Sequence, residues 1–133
     1  QDLNTIELIE NKLLIGEGGA GKNPEVASQA YSKSKEDVLD FLRFSFGEDY
    51  DRIFVCAGAG GGTGAGSVIP LVHTVQELNE IVNAPTSKVG VILALPKISE
   101  GKKVNANAHN TLNEAYKLVE QGLVSPLIIL DNL

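Results

Sequence analysis

The segment from Gly58 to Gly66 contains six glycines in nine residues, and it constrains the fold more than any other part of the chain. It follows an apolar run and precedes a stretch with helical spacing, so we expect it at a strand–helix junction. Glycine has no Cβ, so successive N–H groups can face one point and the backbone can approach an anion closely. The positive N-terminal end of the following helix strengthens such a site. The segment therefore predicts a cradle for a phosphate group, with the Thr63 hydroxyl as a further contact.

Short apolar runs alternate with longer amphipathic stretches along the chain. The predicted strands are Lys12–Gly16, Arg52–Ala57, Lys88–Leu95 and Pro126–Leu130. They are apolar throughout, which is typical of a parallel sheet covered on both faces, and this places Cys56 in the core. The order β-α-β-α-β-α-β predicts an α/β fold with a Rossmann-like, three-layer parallel sheet.

The first predicted helix opens at Asn23-Pro24, a plausible N-cap followed by a proline at the first helical position. The apolar face of this helix is expected to carry Val26, Ala30, Val38 and Leu42. The gap between Ala30 and Val38 is poorly spaced, and a second capping signal there favours a break in this helix.

Two further helices are predicted after the glycine segment. One covers Ser67–Val82 and holds Pro70, which a helix tolerates best in its first turn. The other covers Asn105–Gln121 and should end at Gly122, because glycine is the usual residue just past a helix C-terminus. Ligands of parallel α/β sheets bind at the carboxyl ends of the strands, which selects the loops Glu17–Asn23, Gly58–Gly66 and Pro96–Lys103.

Composition sets outer limits on function. The chain has 133 residues, a net charge of −6 and a single cysteine. That length suits one domain, and the acidic balance disfavours direct binding to nucleic acid or to an anionic membrane. One cysteine cannot form an internal disulfide and fits a reducing compartment, so we expect a cytoplasmic protein.

Two other nucleotide-binding patterns compete with a simple phosphate cradle. A dinucleotide fingerprint can be placed on Gly60, Gly62 and Ala65, although the acidic residue expected about 20 positions later has no good match. A P-loop pattern, GxxxxGK, runs from Gly16 to Lys22, but Asn23 stands where that motif requires Ser or Thr.

The run GGGTGAG at Gly60–Gly66 resembles the signature of the tubulin/FtsZ superfamily. The resemblance continues in order along the chain. Gly19–Glu25 is similar to the GAGGNPE loop of FtsZ, and Glu100-Gly101-Lys102-Lys103 resembles the loop in which a glutamate contacts the ribose. Leu130–Leu133 resembles the family's PND-x-L segment.

This resemblance implies a GTP-binding domain that takes GTP, usually with Mg²⁺, and assembles head to tail into protofilaments. Residues 1–133 would be the middle and C-terminal part of that domain, without its first strand and loop or anything after the last strand. No catalytic residue is implied within the chain, because hydrolysis would need an acidic loop of a neighbouring subunit. The implied nucleotide-binding residues are Gly58, Gly60, Gly61, Gly62, Thr63, Gly64, Ala65 and Gly66 for the phosphates, Ala20, Gly21, Lys22 and Asn23 near the terminal phosphate, and Glu100 near the sugar.

Two departures from the FtsZ pattern point to a diverged, TubZ-like branch. Lys22 replaces a family glycine, and Val104 stands where FtsZ carries an arginine. The loss of that arginine leaves open a GTP-binding scaffold that does not hydrolyse, and a dinucleotide-binding enzyme also stays open. Roles in cell division, plasmid partition and phage positioning are not distinguished by this segment.

Overall fold

A computed structural model describes residues 23–131 together with Asn11 and Leu13. Three α-helices and three strands alternate along this part of the chain. They are α1 (Pro24–Phe46), β1 (Ile53–Gly58), α2 (Gly62–Ile81), β2 (Val89–Leu95), a short 3-10 helix (Ile98–Glu100), α3 (Lys102–Glu120) and β3 (Leu127–Asp131). The predicted strand Lys12–Gly16 lies outside the described residues, apart from Leu13.

The three strands form one parallel sheet in the order β1-β2-β3, which confirms the predicted α/β class. In the register, Val55 lies beside Val91 and Leu93 lies beside Ile129. Each connection between neighbouring strands is a helix, as parallel pairing requires. The carboxyl ends of β1 and β2 therefore meet at one edge of the sheet, where Gly58 pairs with Ala94.

One face of the sheet carries the core. Alternate strand residues on this face pack against apolar residues of α2 and α3, since side chains of a strand point to opposite faces in turn. Helix α2 contributes one buried apolar stripe, formed by Val68, Val72, Val75 and Leu78. The buried cluster also contains Ile53, Val55, Val89, Val91, Leu93, Ala108, Ala115 and Leu118.

The opposite face of the sheet differs from the sequence prediction. Its residues are apolar, yet Phe54 is 43% exposed and Leu130 is 53% exposed. Cys56, predicted to be a core residue, lies on this face and is exposed. The strands read as apolar throughout because both faces carry apolar side chains, but the described elements cover only one of them.

Helix α1 is continuous from Pro24 to Phe46, so the predicted break is wrong. The predicted face is confirmed at Val38, which is buried, and at Leu42, which is partly buried against the core, but it is wrong at Val26, which is 46% exposed. The buried residues are Ala27, Tyr31 and Val38, spaced four and seven positions apart, and they follow one stripe of an uninterrupted helix. The predicted cap is confirmed, since the Asn23 side chain accepts a hydrogen bond from the Glu25 N–H at 3.1 Å.

Helix α2 begins at Gly62, five residues before the predicted start at Ser67. Half of the glycine segment is thus helical, although glycine disfavours helix by roughly 1 kcal/mol per residue. The early start moves Pro70 out of the first turn and into the helix interior. The packing of α2 against α1, α3 and the sheet offsets the backbone hydrogen bond that this proline cannot make.

Helix α3 spans Lys102–Glu120 and starts three residues before its predicted start at Asn105. Along one stripe of this helix, Ala108 and Ala115 are buried, and Leu112 and Val119 are partly buried against the core. The predicted stop is confirmed, because Gly122 has a φ of +73° and its N–H reaches the Val119 carbonyl at 3.0 Å. A positive φ of this kind favours glycine over residues with a Cβ.

Candidate functional site

The glycine segment connects the end of β1 to the start of α2 at the carboxyl edge of the sheet. Its first residues are fixed to the sheet, since the Ala59 N–H donates to the Ala94 carbonyl of β2 at 2.9 Å. Gly61 is the N-cap of α2, with an extended backbone at φ −77° and ψ 158°. The predicted strand–helix junction is therefore confirmed, although Gly62–Gly66 already belong to the helix.

Three of the glycines are required by close packing. A Cβ on Gly64 would lie 2.1 Å from the Gly58 carbonyl oxygen, and one on Gly66 would lie 2.0 Å from the Pro24 carbonyl oxygen. A Cβ on Gly60 would meet a methyl group of Val104 at 2.5 Å. These distances are far inside van der Waals contact, so the three positions bring α1, α2 and α3 together around the segment.

Two other glycines face open space. A Cβ on Gly58 or on Gly61 would meet no heavy atom within 4 Å. Gly61 also has no side chain with which to accept hydrogen bonds from the N–H groups of the first turn of α2, which a helix leaves without intrahelical partners. The backbone at these two glycines is therefore the part of the segment that an anionic ligand can approach.

The open glycines share a cavity with Glu100, the residue predicted to lie near a sugar. This cavity has a volume of about 190 Å³. Its lining includes Gly58, Gly60, Gly61, Pro96, Glu100 and Val104. The structure thus brings the glycine segment and the loop after β2 together, as expected for loops at the carboxyl ends of neighbouring parallel strands.

Local hydrogen bonds hold the loop that carries Glu100. The Glu100 carboxylate accepts from the Lys97 N–H at 2.6 Å. The Asn105 side-chain amide donates to the Gly101 carbonyl at 2.7 Å and to the Ile98 carbonyl at 3.1 Å. Gly101 has a φ of +108°, a conformation that a side chain would strain. Glu100 therefore lies beside the cavity in a fixed loop.

A second, larger cavity brings Asn23 together with Ala65 of the glycine segment. Its volume is about 470 Å³, and residues of α3 close its other side. Its lining includes Asn23, Glu25, Ala65, Lys103, Asn107 and Glu114. The start of α1 and the first turn of α2 are therefore neighbours, as the predicted site at the terminal phosphate requires.

Several predicted site residues cannot be placed in this geometry. Ala20, Gly21 and Lys22 lie outside the described residues, and so does the side chain of Thr63. The backbone of Thr63 and that of Gly62 lie in the first turn of α2. The predicted contacts of these side chains with a nucleotide stay predictions.

The sequence prediction missed the part of α3 that supports the glycine segment. Asn107 donates from its side-chain nitrogen to the Gly60 carbonyl at 3.1 Å. The Thr111 hydroxyl lies 3.4 Å from the Ala59 carbonyl and 2.9 Å from the Asn107 carbonyl. A polar residue on the buried stripe of a helix was the available signal, because Thr111 falls between Ala108 and Ala115. Buried polar groups need partners, so such a residue indicates a specific contact.

These features define a class of protein: a parallel α/β fold whose ligand site is built from loops at the carboxyl ends of its strands. The model of the family described as "Tubulin like" matches residues 13–124. The chain therefore belongs to the tubulin-like family.

Relatives within this superfamily match nearly the whole chain. The tubulin-like protein TubZ of Bacillus cereus is 29% identical over 99% of this chain and 29% of its own length. The cell division protein FtsZ 1 of Methanocaldococcus jannaschii is 31% identical over 88% of the chain and 30% of its own length. The solved structure of CetZ from Methanosaeta thermophila matches 98% of this chain and 33% of that one, with a TM-score of 0.76 and 26% identity. The chain spans about 30% of the length of these two curated relatives.

Two further properties of the described residues bear on function. None of the three α-helices combines the length and apolar character that crossing a lipid bilayer requires. Within the described part of the chain, no three His, Cys, Asp or Glu side chains converge as ligands for a metal ion.

Proposed function

We propose that this chain is the middle part of a GTP-binding domain in a cytoplasmic filament protein of the tubulin/FtsZ type. The observation that carries the proposal is the shared cavity of the open glycines, Gly58 and Gly61, with Glu100. Backbone N–H groups at a helix N-terminus suit phosphate oxygens, and a carboxylate suits sugar hydroxyls. Family membership favours a guanine nucleotide over the dinucleotide that the sequence also allowed.

Mg²⁺ would accompany the nucleotide in this proposal. The described residues offer no converging set of metal ligands, so the ion would be held through the phosphate oxygens of the nucleotide. Magnesium commonly binds in this way, through substrate phosphates and few protein ligands. The protein's part is to place the phosphates, through the amides at the start of α2.

Head-to-tail self-association is the second part of the proposal. It rests on membership of the tubulin-like family and on the assembly that the tubulin/FtsZ resemblance implies. Hydrolysis would then be completed by a neighbouring subunit, since the resemblance implies no catalytic residue within this chain. The cellular role, in division or in partition of a plasmid or phage, depends on parts of the protein beyond this segment.

A charge introduced at Gly61 tests the binding site. Asp is a good N-cap residue, so Gly61→Asp should preserve or slightly raise the stability of α2, by a few tenths of a kcal/mol. Its carboxylate would occupy the first-turn amides and repel a phosphate, so GTP affinity of the full-length natural protein should fall at least about tenfold. Isothermal titration with GTP, ATP and NAD measures this, and Gly61→Asn is the matched control that caps the helix without a charge.

The result that contradicts the proposal is equally specific. A full-length protein that does not bind GTP, or that binds NAD instead, excludes a GTP-dependent filament subunit. Light scattering on addition of GTP then tests assembly separately. Absence of scattering at concentrations well above those that saturate GTP binding would remove the filament part while leaving nucleotide binding intact.

A GTP-binding scaffold that does not hydrolyse is the second candidate, and Val104 favours it. This residue stands where the FtsZ resemblance places an arginine, and it is a buried apolar residue packed against Gly60. It supplies no charge for a phosphate. Phosphate release by the assembled full-length protein distinguishes the two candidates: steady release supports the GTPase, and bound GTP that persists in the polymer supports the scaffold.

A further inference from the structure

Side chains of helix α3 contact backbone carbonyl groups of the glycine segment. The Asn107 side chain donates to the Gly60 carbonyl at 3.1 Å across 47 positions of sequence. One residue earlier, the Ala59 carbonyl lies 3.4 Å from the Thr111 hydroxyl. Two consecutive carbonyl groups of the segment therefore face α3.

Because the peptide bond is planar, the contact at the Gly60 carbonyl also determines the direction of the Gly61 N–H. In a trans peptide the carbonyl of one residue and the N–H of the next point to opposite sides. With the Gly60 carbonyl directed at Asn107, the Gly61 N–H points away from α3. Gly61 is also one of the two glycines that border open space and line the cavity beside Glu100.

We propose that Asn107 is a positioning residue for the phosphate cradle: its hydrogen bond to Gly60 fixes the plane of the Gly60–Gly61 peptide and aims the Gly61 N–H at a phosphate oxygen. The proposal rests on the proposed nucleotide-binding function. Glycine makes the bond necessary, because a peptide flanked by two residues without Cβ can rotate freely in the absence of a partner. Preorganised N–H groups bind an anion more tightly because no ordering cost remains at binding.

The test compares two ligands that differ only in phosphate. In the full-length natural protein, Asn107→Ala should weaken GDP binding about fivefold to tenfold, the effect of one neutral hydrogen bond. Guanosine has no phosphate, so its affinity should change by less than about twofold on the same reasoning. Isothermal titration of both ligands gives the ratio of their affinities. A merely structural role for Asn107 would weaken GDP and guanosine together and leave that ratio unchanged.

Asn113→Ala is the matched control. Asn113 lies on the same helix, is exposed, and interacts with the ring of His109 at 3.2 Å, away from the glycine segment. Both variants lose an asparagine side chain from helix α3. A change in affinity that the two variants share is therefore an effect on the helix and not on the cradle. The control should retain the wild-type ratio of GDP to guanosine affinity.

Each outcome has a distinct meaning. If the wild-type protein binds GDP and Asn107→Ala keeps the wild-type ratio, the positioning role is excluded while the proposed function stands. If the wild type binds no guanine nucleotide, the proposed function fails and the positioning role falls with it. Should Asn107→Ala not fold, wild-type protein labelled with ¹⁵N-glycine decides: GDP should shift the Gly61 amide resonance and leave that of Gly47 in place, and an unmoved Gly61 resonance overturns the proposal.

Discussion

Gly66 and Gly58 belong to the same nine-residue segment, and the structure uses them differently. Gly66 lies against the first turn of α1, where an added Cβ would come within 2.0 Å of the Pro24 carbonyl oxygen. Gly58 borders a cavity, where an added Cβ would meet nothing within 4 Å. A dense run of glycines therefore combines two needs: close approach of helices on one side and an open backbone on the other. The two needs can be separated by substitution, because one concerns folding and the other concerns binding.

The largest effect is expected at Gly66. In Gly66→Ala the new methyl group collides with backbone, so α1 and α2 must move apart; overpacking of this kind costs about 1–3 kcal/mol. Better helix propensity returns roughly 1 kcal/mol, since Gly66 lies inside α2. The overpacking cost should lie near the upper end of that range, at about 3 kcal/mol, because a backbone carbonyl cannot yield as a flexible side chain does. After the gain in helix propensity, we expect a net loss of about 2 kcal/mol. Denaturant unfolding measures it, and an unchanged unfolding midpoint would show that the α1–α2 contact is not as close as the structure has it.

The sequence predicted the position of this segment, but it did not show which glycines are needed for close packing and which border the cavity. The apolar runs gave β1 as Arg52–Ala57 and β2 as Lys88–Leu95, each within one residue of the observed bounds. Those predictions succeed because parallel strands are marked by local composition alone. The start of α2 failed for a local reason as well: glycine lowers helix propensity, so Gly62–Gly66 reads as a loop until tertiary packing is known.

Contacts between elements that are distant in sequence could not be predicted either. Nothing near Gly60 indicates that Asn107 of α3 donates to its carbonyl, since 47 positions separate the two. Cys56 was misplaced because an apolar strand does not reveal which of its faces is covered. The proposed sugar contact of Glu100 was inferred from a resemblance, and the structure adds the cavity that it shares with Gly61.

A moderate effect is expected from Tyr31→Phe, which weakens the α1–α2 contact without touching the glycine segment. The Tyr31 hydroxyl is hydrogen-bonded to Thr74 in the buried contact between these helices. Thr74 keeps a partner after the change, because its hydroxyl also donates to the Pro70 carbonyl at 3.1 Å. The loss should therefore stay near 1 kcal/mol, typical of one buried hydrogen bond. Tyr116→Phe, at a residue 57% exposed, is the matched control and should leave the unfolding midpoint in place.

The stability difference between wild type and Tyr31→Phe should also depend on pH in the alkaline range. Burial raises the pKa of the Tyr31 phenol, and the hydrogen bond with Thr74 lowers it by less. The folded state thus favours the neutral phenol, so the contribution of Tyr31 is complete below the unfolded pKa of about 10. It is lost as pH rises through the folded pKa. The stability difference between wild type and Tyr31→Phe should shrink over that range, and a difference that grows with pH would contradict this assignment.

The smallest effect on stability is expected at Gly58, and it is the one that separates folding from binding. Gly58 ends a strand, so alanine suits its conformation, and the substitution also reduces the freedom of the unfolded chain, a gain of about 0.4–1 kcal/mol. We expect the free energy of unfolding to stay the same or to rise by up to that amount. The methyl group would nevertheless enter the cavity of about 190 Å³ that Gly58 lines, where it competes with a phosphate for space. GTP affinity of the full-length protein should therefore fall while its stability does not. For Gly66→Ala we expect the reverse, a loss of stability with GTP binding retained by the folded protein. Titration and unfolding on the same two variants give the comparison, and a Gly58→Ala variant that binds GTP normally would place the nucleotide elsewhere on the sheet edge.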